Sequence, residues 1–315
     1  MSLALAMIAG GLLALFVGAN SLIRGAAALA RRWGMTPLVV GLTVVAGGTS
    51  SPELFVVTGA ALDGRDGISL GNVLGANSLN IGLILGLTAL VRPLHAQLQL
   101  IRFYVPIMIL AMLVVAGFVS DGVLGRIESA VLLAALGCYL AFTVYMARRE
   151  GNAHVRAEFS SEIPAQLRSV GAELGLIALG VALLALGAQG LLSGSVRVAA
   201  ALGVSDTVIG ITVVAAGTTL PELITCMVAA LKREGDIAIG NVVGSNIFNL
   251  LGVLGLAGVL APISAAGVQA MELWGAVLLT ALSLPVMWRG MIVNRAEGAL
   301  LVAAYLLYIA LVWSG

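Results

Sequence analysis

The chain has 315 residues, 60% of them hydrophobic, with 16 basic and 15 acidic side chains. A soluble domain carries roughly 25% charged residues, so a charged share of 10% excludes a soluble enzyme, and a formal net charge of +1 provides no basic field for nucleic acid. Cys138 and Cys226 lie inside apolar runs without paired spacing, so neither a disulfide framework nor a zinc site is legible.

Apolar stretches near the ~20 residues that cross a bilayer as a helix predict ten spans, at 3–23, 36–62, 68–91, 103–120, 125–146, 170–192, 206–231, 237–260, 271–288 and 296–313. The fold class is all-α, a polytopic membrane protein. No basic residue precedes the first stretch, whereas Arg24, Arg31 and Arg32 follow it, which predicts a retained helix ending in the cytoplasm rather than a signal peptide. The second span carries Gly47-Gly48-Thr49-Ser50-Ser51-Pro52-Glu53, and the third carries Gly71-Asn72-Val73-Leu74-Gly75-Ala76-Asn77-Ser78-Leu79-Asn80. The fourth and fifth are plainly apolar. Residues 147–169, with Arg148, Arg149, Glu150, Arg156, Glu158, Glu162 and Arg168, read as a polar cytoplasmic linker. The seventh span brings Ala216-Gly217-Thr218-Thr219-Leu220-Pro221-Glu222 and the eighth Gly240-Asn241-Val242-Val243-Gly244-Ser245-Asn246-Ile247-Phe248-Asn249.

With the N-terminus outside, thirteen of the sixteen Lys and Arg residues fall in cytoplasmic loops, and only Arg65, Arg126 and Arg197 fall outside. That bias places both termini on the periplasmic or extracellular side of the cytoplasmic (inner) membrane.

Sliding the chain by 169 residues aligns 41–94 with 210–263 without a gap, and 24 of the 54 positions are identical. The offset continues outward through Gly11 and Gly180, Gly18 and Gly187, Arg126 and Arg295, Glu128 and Glu297, and Tyr139 and Tyr308. Residues 1–146 therefore map onto 170–315. Five spans per half is an odd number, so the second copy enters the membrane from the opposite side, an inverted repeat of the kind that places a transport site near the midplane.

Among the fifteen carboxylates, thirteen fall in loops or near span ends, where a solvated helix terminus is expected. Glu53 and Glu222 fall in mid-span and are offset partners. A charge there costs at least ~2.5 kcal/mol, so both need a function. Pro52 and Pro221 remove the amide that would bond the carbonyl four residues earlier, which predicts freed carbonyls at Gly48 and Gly217 and lets those of Ala46 and Ala215 turn toward a cavity. Thr49 and Glu53 at i and i+4, with Ser50 between them, predict one oxygen-bearing face, repeated by Thr218, Thr219 and Glu222. Carboxylate, hydroxyl and carbonyl are hard ligands suited to Ca2+ and Na+ rather than to zinc or copper. Asn80 and Asn249 are expected to line the site, and Asn72 and Asn241 either to support it or to join helices.

The paired G-T-S-x-P-E and G-N-x-x-G-[SA]-N signatures closely resemble the calcium/cation antiporter family, in particular its sodium/calcium exchanger branch, along the whole chain. The resemblance implies ten helices in two inverted five-helix halves, a site between the second, third, seventh and eighth helices, and exchange of Ca2+ for Na+ by alternating access. Carried over by position, Thr49, Ser50, Glu53, Thr218, Thr219 and Glu222 would be metal ligands, Ala46 and Ala215 would offer carbonyls, and Asn80, Asn249 and Ser245 would line the site. Ala76 stands where the family usually has serine, Thr219 also replaces a serine, and Asn249 occupies a position that is aspartate in some relatives. Gly75 and Gly244 stand where proton-coupled members tend to carry an acid, which favours Na+ over H+.

The expected function is therefore antiport rather than catalysis, with Ca2+ and Na+ as substrates and no cofactor. The bilayer is the implied partner, without nucleic acid or an obligatory protein. A proton/Ca2+ antiporter is the alternative, and an intramembrane hydrolase lacks a nucleophile paired with a base. The first and sixth spans, rich in glycine and alanine, are candidates either for sliding beside a rigid core or for ordinary packing.

Overall fold

The structure, a computed structural model, describes residues 2–149, 169–201 and 217–314. It is a multi-pass helical membrane protein. Its described helices are α1 (Ser2–Trp33), α2 (Pro37–Thr49), α3 (Ser51–Leu62), α4 (Asp66–Val91), α5 (Leu100–Asp121), α6 (Arg126–Arg149), α7 (Val170–Ala201), α8 (Leu220–Leu231), α9 (Gly235–Leu260), α10 (Ala270–Trp288) and α11 (Arg295–Ser314). Helices α2 and α3 form one span bent by 46°.

Most boundaries fall within a few residues of those expected, but α1 and α7 run on past 23 and 192. In α1 the extension is alanine-rich, a composition that favours helix, and Arg31 and Arg32 sit at the negative end of its dipole. Gly34 then adopts φ +67°, which lets the Met35 amide reach back to the Ala30 carbonyl at 2.8 Å and closes the helix end. Thr36 caps α2, its hydroxyl accepting from the Val39 amide at 3.4 Å, and Pro37 occupies the first turn, where no amide is needed.

Four loop positions expected to be irregular form short ribbons. Strand β1 (Leu94–His95) pairs antiparallel with β4 (Ile292–Val293), and β2 (Val123–Leu124) pairs with β3 (Ile263–Ser264). Helix α5 separates β1 from β2, so the ribbons sit at opposite ends of the bundle. Adding 169 to β1 and β2 gives the numbers of β3 and β4.

Helices α4 and α9 form the buried centre, whereas α11 lies at the exposed rim. Outward-facing Leu12, Leu13, Phe16, Leu278, Leu306 and Leu307 are exposed, as suits a lipid-facing surface. Helices α1 and α7 cross in near backbone contact. A Cβ added at Gly11 would fall 2.6 Å from the Leu191 amide nitrogen, and one at Gly180 2.6 Å from that of Leu22. The contacts of Gly11 with Gly187 and of Gly18 with Gly180 are the same pair under the 169 offset.

Glu173 corrects an expectation. It opens α7 near a span end, yet it is fully buried, and Arg32 clasps both its carboxylate oxygens at 2.8 to 3.1 Å. The cause is the glycine crossing, because Gly25 brings α1 against the Glu173 carbonyl and shuts out water. Glu234 is also buried, at 2% exposure, instead of solvated. Glu272 and Glu297 behave as helix-end acids, bonding the amides of Gln269 and Asn294.

Candidate ion-binding site

Each mid-span glutamate opens a half-helix. The backbone leaves helical geometry at Ser50 (φ −78°, ψ 3°) and at Thr219 (φ −92°, ψ 4°), and Pro52 and Pro221 restart it in the next turn. Glu53 and Glu222 thus stand in the first turns of α3 and α8, where unpaired amides point outward and favour negative charge. Both are fully buried.

The break changes the expected geometry. It falls between Thr49 and Glu53, so these residues do not share one continuous helical face. Thr49 instead turns toward α9, where its hydroxyl donates to Asn241 Oδ1 at 3.1 Å and lies 3.3 Å from Ser245 Oγ. Ser50 turns toward α8 and donates to Glu222 Oε1 at 3.3 Å. Glycines make the first approach possible: a Cβ at Gly240 would lie 2.8 Å from the Leu38 carbonyl, and one at Gly244 2.7 Å from Ala46 Cβ.

The expected free carbonyl at Gly48 is not free. The Ser51 hydroxyl donates to it at 2.7 Å and replaces the amide that Pro52 lacks. The Ala46 carbonyl accepts from the Ser50 amide at 3.0 Å and lies 3.3 Å from Thr49 Oγ1. Ala215, with the rest of 210–216, lies outside the described residues. Thr219 is buried, and Thr218 is half-buried with its hydroxyl 3.5 Å from Asn72 Nδ2. Asn72 and Asn241 therefore both touch hydroxyls of the broken segments.

Asn80 and Asn249 belong to a four-amide cluster. Asn77 and Asn246 each donate to the backbone carbonyl of the other at 3.3 Å. Asn80 donates to Asn246 Oδ1 at 2.9 Å, and Asn249 to Asn77 Oδ1 at 3.3 Å. The helix widens to π geometry at Asn80–Leu85 and Phe248–Val253, immediately around the outer asparagines, a distortion frequent at functional sites. Asn77 and Asn246 stand in the sequence signatures without being legible there as members of the site. Their period-three spacing to Asn80 and Asn249 was the available signal.

Among the described residues, the buried side-chain atoms without a hydrogen-bond partner include the hydroxyls of Thr58 and Thr225 and Gln99 Nε2, but most are acceptor oxygens. These oxygens include Glu53 Oε1 and Oε2, Glu222 Oε2, Asn80 Oδ1, Asn249 Oδ1 and Asn72 Oδ1, all buried. Buried polar atoms are normally satisfied, and the carboxylate and amide acceptors among these ask for a cation. The residues present therefore fit a hard metal ion, with nitrogen donors turned inward to the amide cluster and oxygens left over.

The family described as "Sodium/calcium exchanger protein" matches residues 3–145 and 172–314. The chain is 37% identical over 312 residues to CaxA of Alkalimonas amylolytica, covering 96% of this chain and 97% of that protein. It is 29% identical over 337 aligned residues to the sodium/calcium exchanger MaX1 of Methanosarcina acetivorans, covering 96% of each. A solved structure of the sodium-calcium exchanger NCX_Mj, soaked with zero Na+ and Ca2+, superposes with a TM-score of 0.84 at 31% identity over 98% of this chain and 99% of that one.

Proposed function

The chain belongs to the sodium/calcium exchanger protein family, a family of transporters, and on that premise we propose that it exchanges Ca2+ for Na+ across the inner membrane by alternating access. One observation carries this reading: two fully buried carboxyl groups on the two broken segments, joined through Ser50, which bonds Glu222, with three of their four oxygens unpaired and the amide oxygens of Asn80 and Asn249 likewise buried without partners. Ionised and empty, such a site is costly, because Coulomb energies grow as the local dielectric falls. One Ca2+ neutralises the two charges, and Na+ ions using overlapping oxygens do the same, so the loads compete.

The ligand set on this reading is Glu53 and Glu222, joined by Thr49, Ser50, Thr218, Thr219, Ser245, Asn80 and Asn249, with the carbonyls of Ala46 and Ala215. Obligatory exchange follows if a loaded site permits rearrangement and an empty, doubly charged one does not. Residues 1–146 and 170–315 act as inverted five-span repeats joined by a cytoplasmic linker at 147–169, with both termini outside. The exchange of ribbon β1–β4 for β2–β3 under the offset supports this arrangement, since the ribbons occupy opposite ends of the bundle. Alternating access is assigned to α1 and α7 sliding beside the α4–α9 core, a reading supported by their mutual glycine seam.

The test is Ca2+ flux in proteoliposomes. External Na+ should drive Ca2+ efflux from loaded vesicles, and a pH gradient without Na+ should not. Efflux driven equally well by the pH gradient alone would replace Na+ by H+ as the coupling ion.

A further inference from the structure

Among the positions beside the site at which the two halves differ is one pair a helical turn beyond the glutamates. Cys226 lies four residues after Glu222, one helical turn on, and is fully buried, whereas its offset partner is Val57. The Cys226 sulfur accepts from Asn241 Nδ2 at 3.2 Å, and its S–H donates to the Ala238 carbonyl at 3.5 Å. With its NH2 held by sulfur, Asn241 presents Oδ1 to Thr49 and receives that hydroxyl proton at 3.1 Å. A hydroxyl has one proton and two lone pairs: the proton taken by Asn241 is not spent on Ala46, the 3.3 Å contact then has Ser245 Oγ donating to Thr49, and Thr49 keeps one lone pair for a cation.

The other half shows what happens without the sulfur. A valine at 57 accepts no hydrogen bond. Asn72 points its NH2 at Thr218 Oγ1, 3.5 Å away, and leaves Oδ1 buried without a partner. Thr218 thereby accepts from the amide and donates nothing to it, so Asn72 does not draw the Thr218 proton away as Asn241 draws that of Thr49. The amides of Asn72 and Asn241 are thus turned in opposite senses, and the difference follows the presence of an acceptor one turn beyond the glutamate.

We infer that Cys226 is a positioning residue: by fixing the Asn241 amide it makes the Thr49 half of the site the better Na+ half-site. The inference rests on the exchanger reading above. Its test uses the full chain and two readouts. One is the NaCl concentration giving half-maximal thermal stabilisation in detergent with a chelator present. The other is the Na+ dependence of Ca2+ efflux from proteoliposomes. C226V, the valine of the other half, should raise the half-saturating Na+ roughly fivefold, as loss of one hydrogen bond implies, with the effect on half-saturation rather than on the rate at saturating Na+. C226S, which keeps a donor and an acceptor, should restore the wild-type value. V57C supplies Asn72 with an acceptor and should lower half-saturating Na+. A wild-type midpoint in C226V, equal impairment of C226S and C226V, or an unchanged midpoint in V57C would each overturn the inference while leaving the exchanger reading intact. A wild-type protein that Na+ neither stabilises nor drives would overturn the exchanger reading, and this inference with it.

Discussion

Asn77 and Asn246 hold one another by the same bond made twice: the side-chain amide of each donates to the backbone carbonyl of the other at 3.3 Å. The two residues are 169 positions apart, so the pair sits where the two halves of the chain meet on equal terms. Their side-chain oxygens accept from Asn249 and Asn80. The cluster consumes amide donors and leaves the side-chain oxygens of Asn80 and Asn249 buried without a partner.

Truncating this junction should couple its members. Asn77→Ala removes one donor and one acceptor, and strands the Asn249 amide. We expect a loss of about 2 kcal/mol from two buried hydrogen bonds. Asn77→Ala and Asn246→Ala should be non-additive by about 1 kcal/mol, read from a double-mutant cycle in thermal or denaturant unfolding. Strict additivity would mean that the reciprocal bonds carry no stability.

Glu53→Gln and Glu222→Gln should abolish Ca2+ exchange and Ca2+-induced stabilisation while leaving the protein folded and membrane-inserted. Glu53 has both oxygens buried without partners. Replacing it by a neutral isostere relieves an uncompensated charge, so unfolding in chelator should not occur at a lower temperature than in wild type. Retained exchange in either variant would remove these residues from the site.

Arg32→Gln should leave Glu173 buried and unpaired. Arg32 is exposed whereas Glu173 is fully buried, so the loss comes from the carboxylate left without a partner and is read as a lowered melting temperature. Arg32→Gln combined with Glu173→Gln should recover most of the loss, since no lone charge remains. Equal melting temperatures for the single and double variants would show that the lost term is packing rather than charge.

Gly180→Ala places a methyl 2.6 Å from the Leu22 amide nitrogen and should separate α1 from α7. Overpacking of this kind costs roughly 1–3 kcal/mol. The Ca2+ concentration for half-maximal stabilisation should stay unchanged, because the ion site is built on other helices, while the exchange rate falls. A shifted Ca2+ midpoint with normal flux would contradict the assignment of α1 and α7 to movement.

Ala76→Ser adds a hydroxyl at the position offset from Ser245, which lies 3.3 Å from Thr49 Oγ1. It should lower the Na+ needed for half-maximal Ca2+ efflux. An unchanged Na+ dependence would mean that a hydroxyl at this position does not serve Na+ binding.

What the sequence alone determined is what local chemistry and chain periodicity can encode. Apolar length placed the spans, and the 169-residue offset paired the halves. Pro52 and Pro221 marked the breaks because a missing amide is a property of one residue. Glu53 and Glu222 stood out because a mid-span acid has no local excuse. What only the tertiary structure decided concerns partners remote in the chain. Thr49 and Ser50 are neighbours in sequence, yet they face α9 and α8 respectively, because the 46° bend rotates one half-helix against the other. Gly48 is satisfied by Ser51, a local bond that competes with the expected opening. Asn77 resembles helix glue until Asn246 is opposite it, and Glu173 resembles a solvated end until α1 covers it. Periodicity fixes which face a side chain occupies. Which helix meets that face, and how closely, is set by glycines on both sides of the contact, and hydrogen bonding and burial follow from that approach.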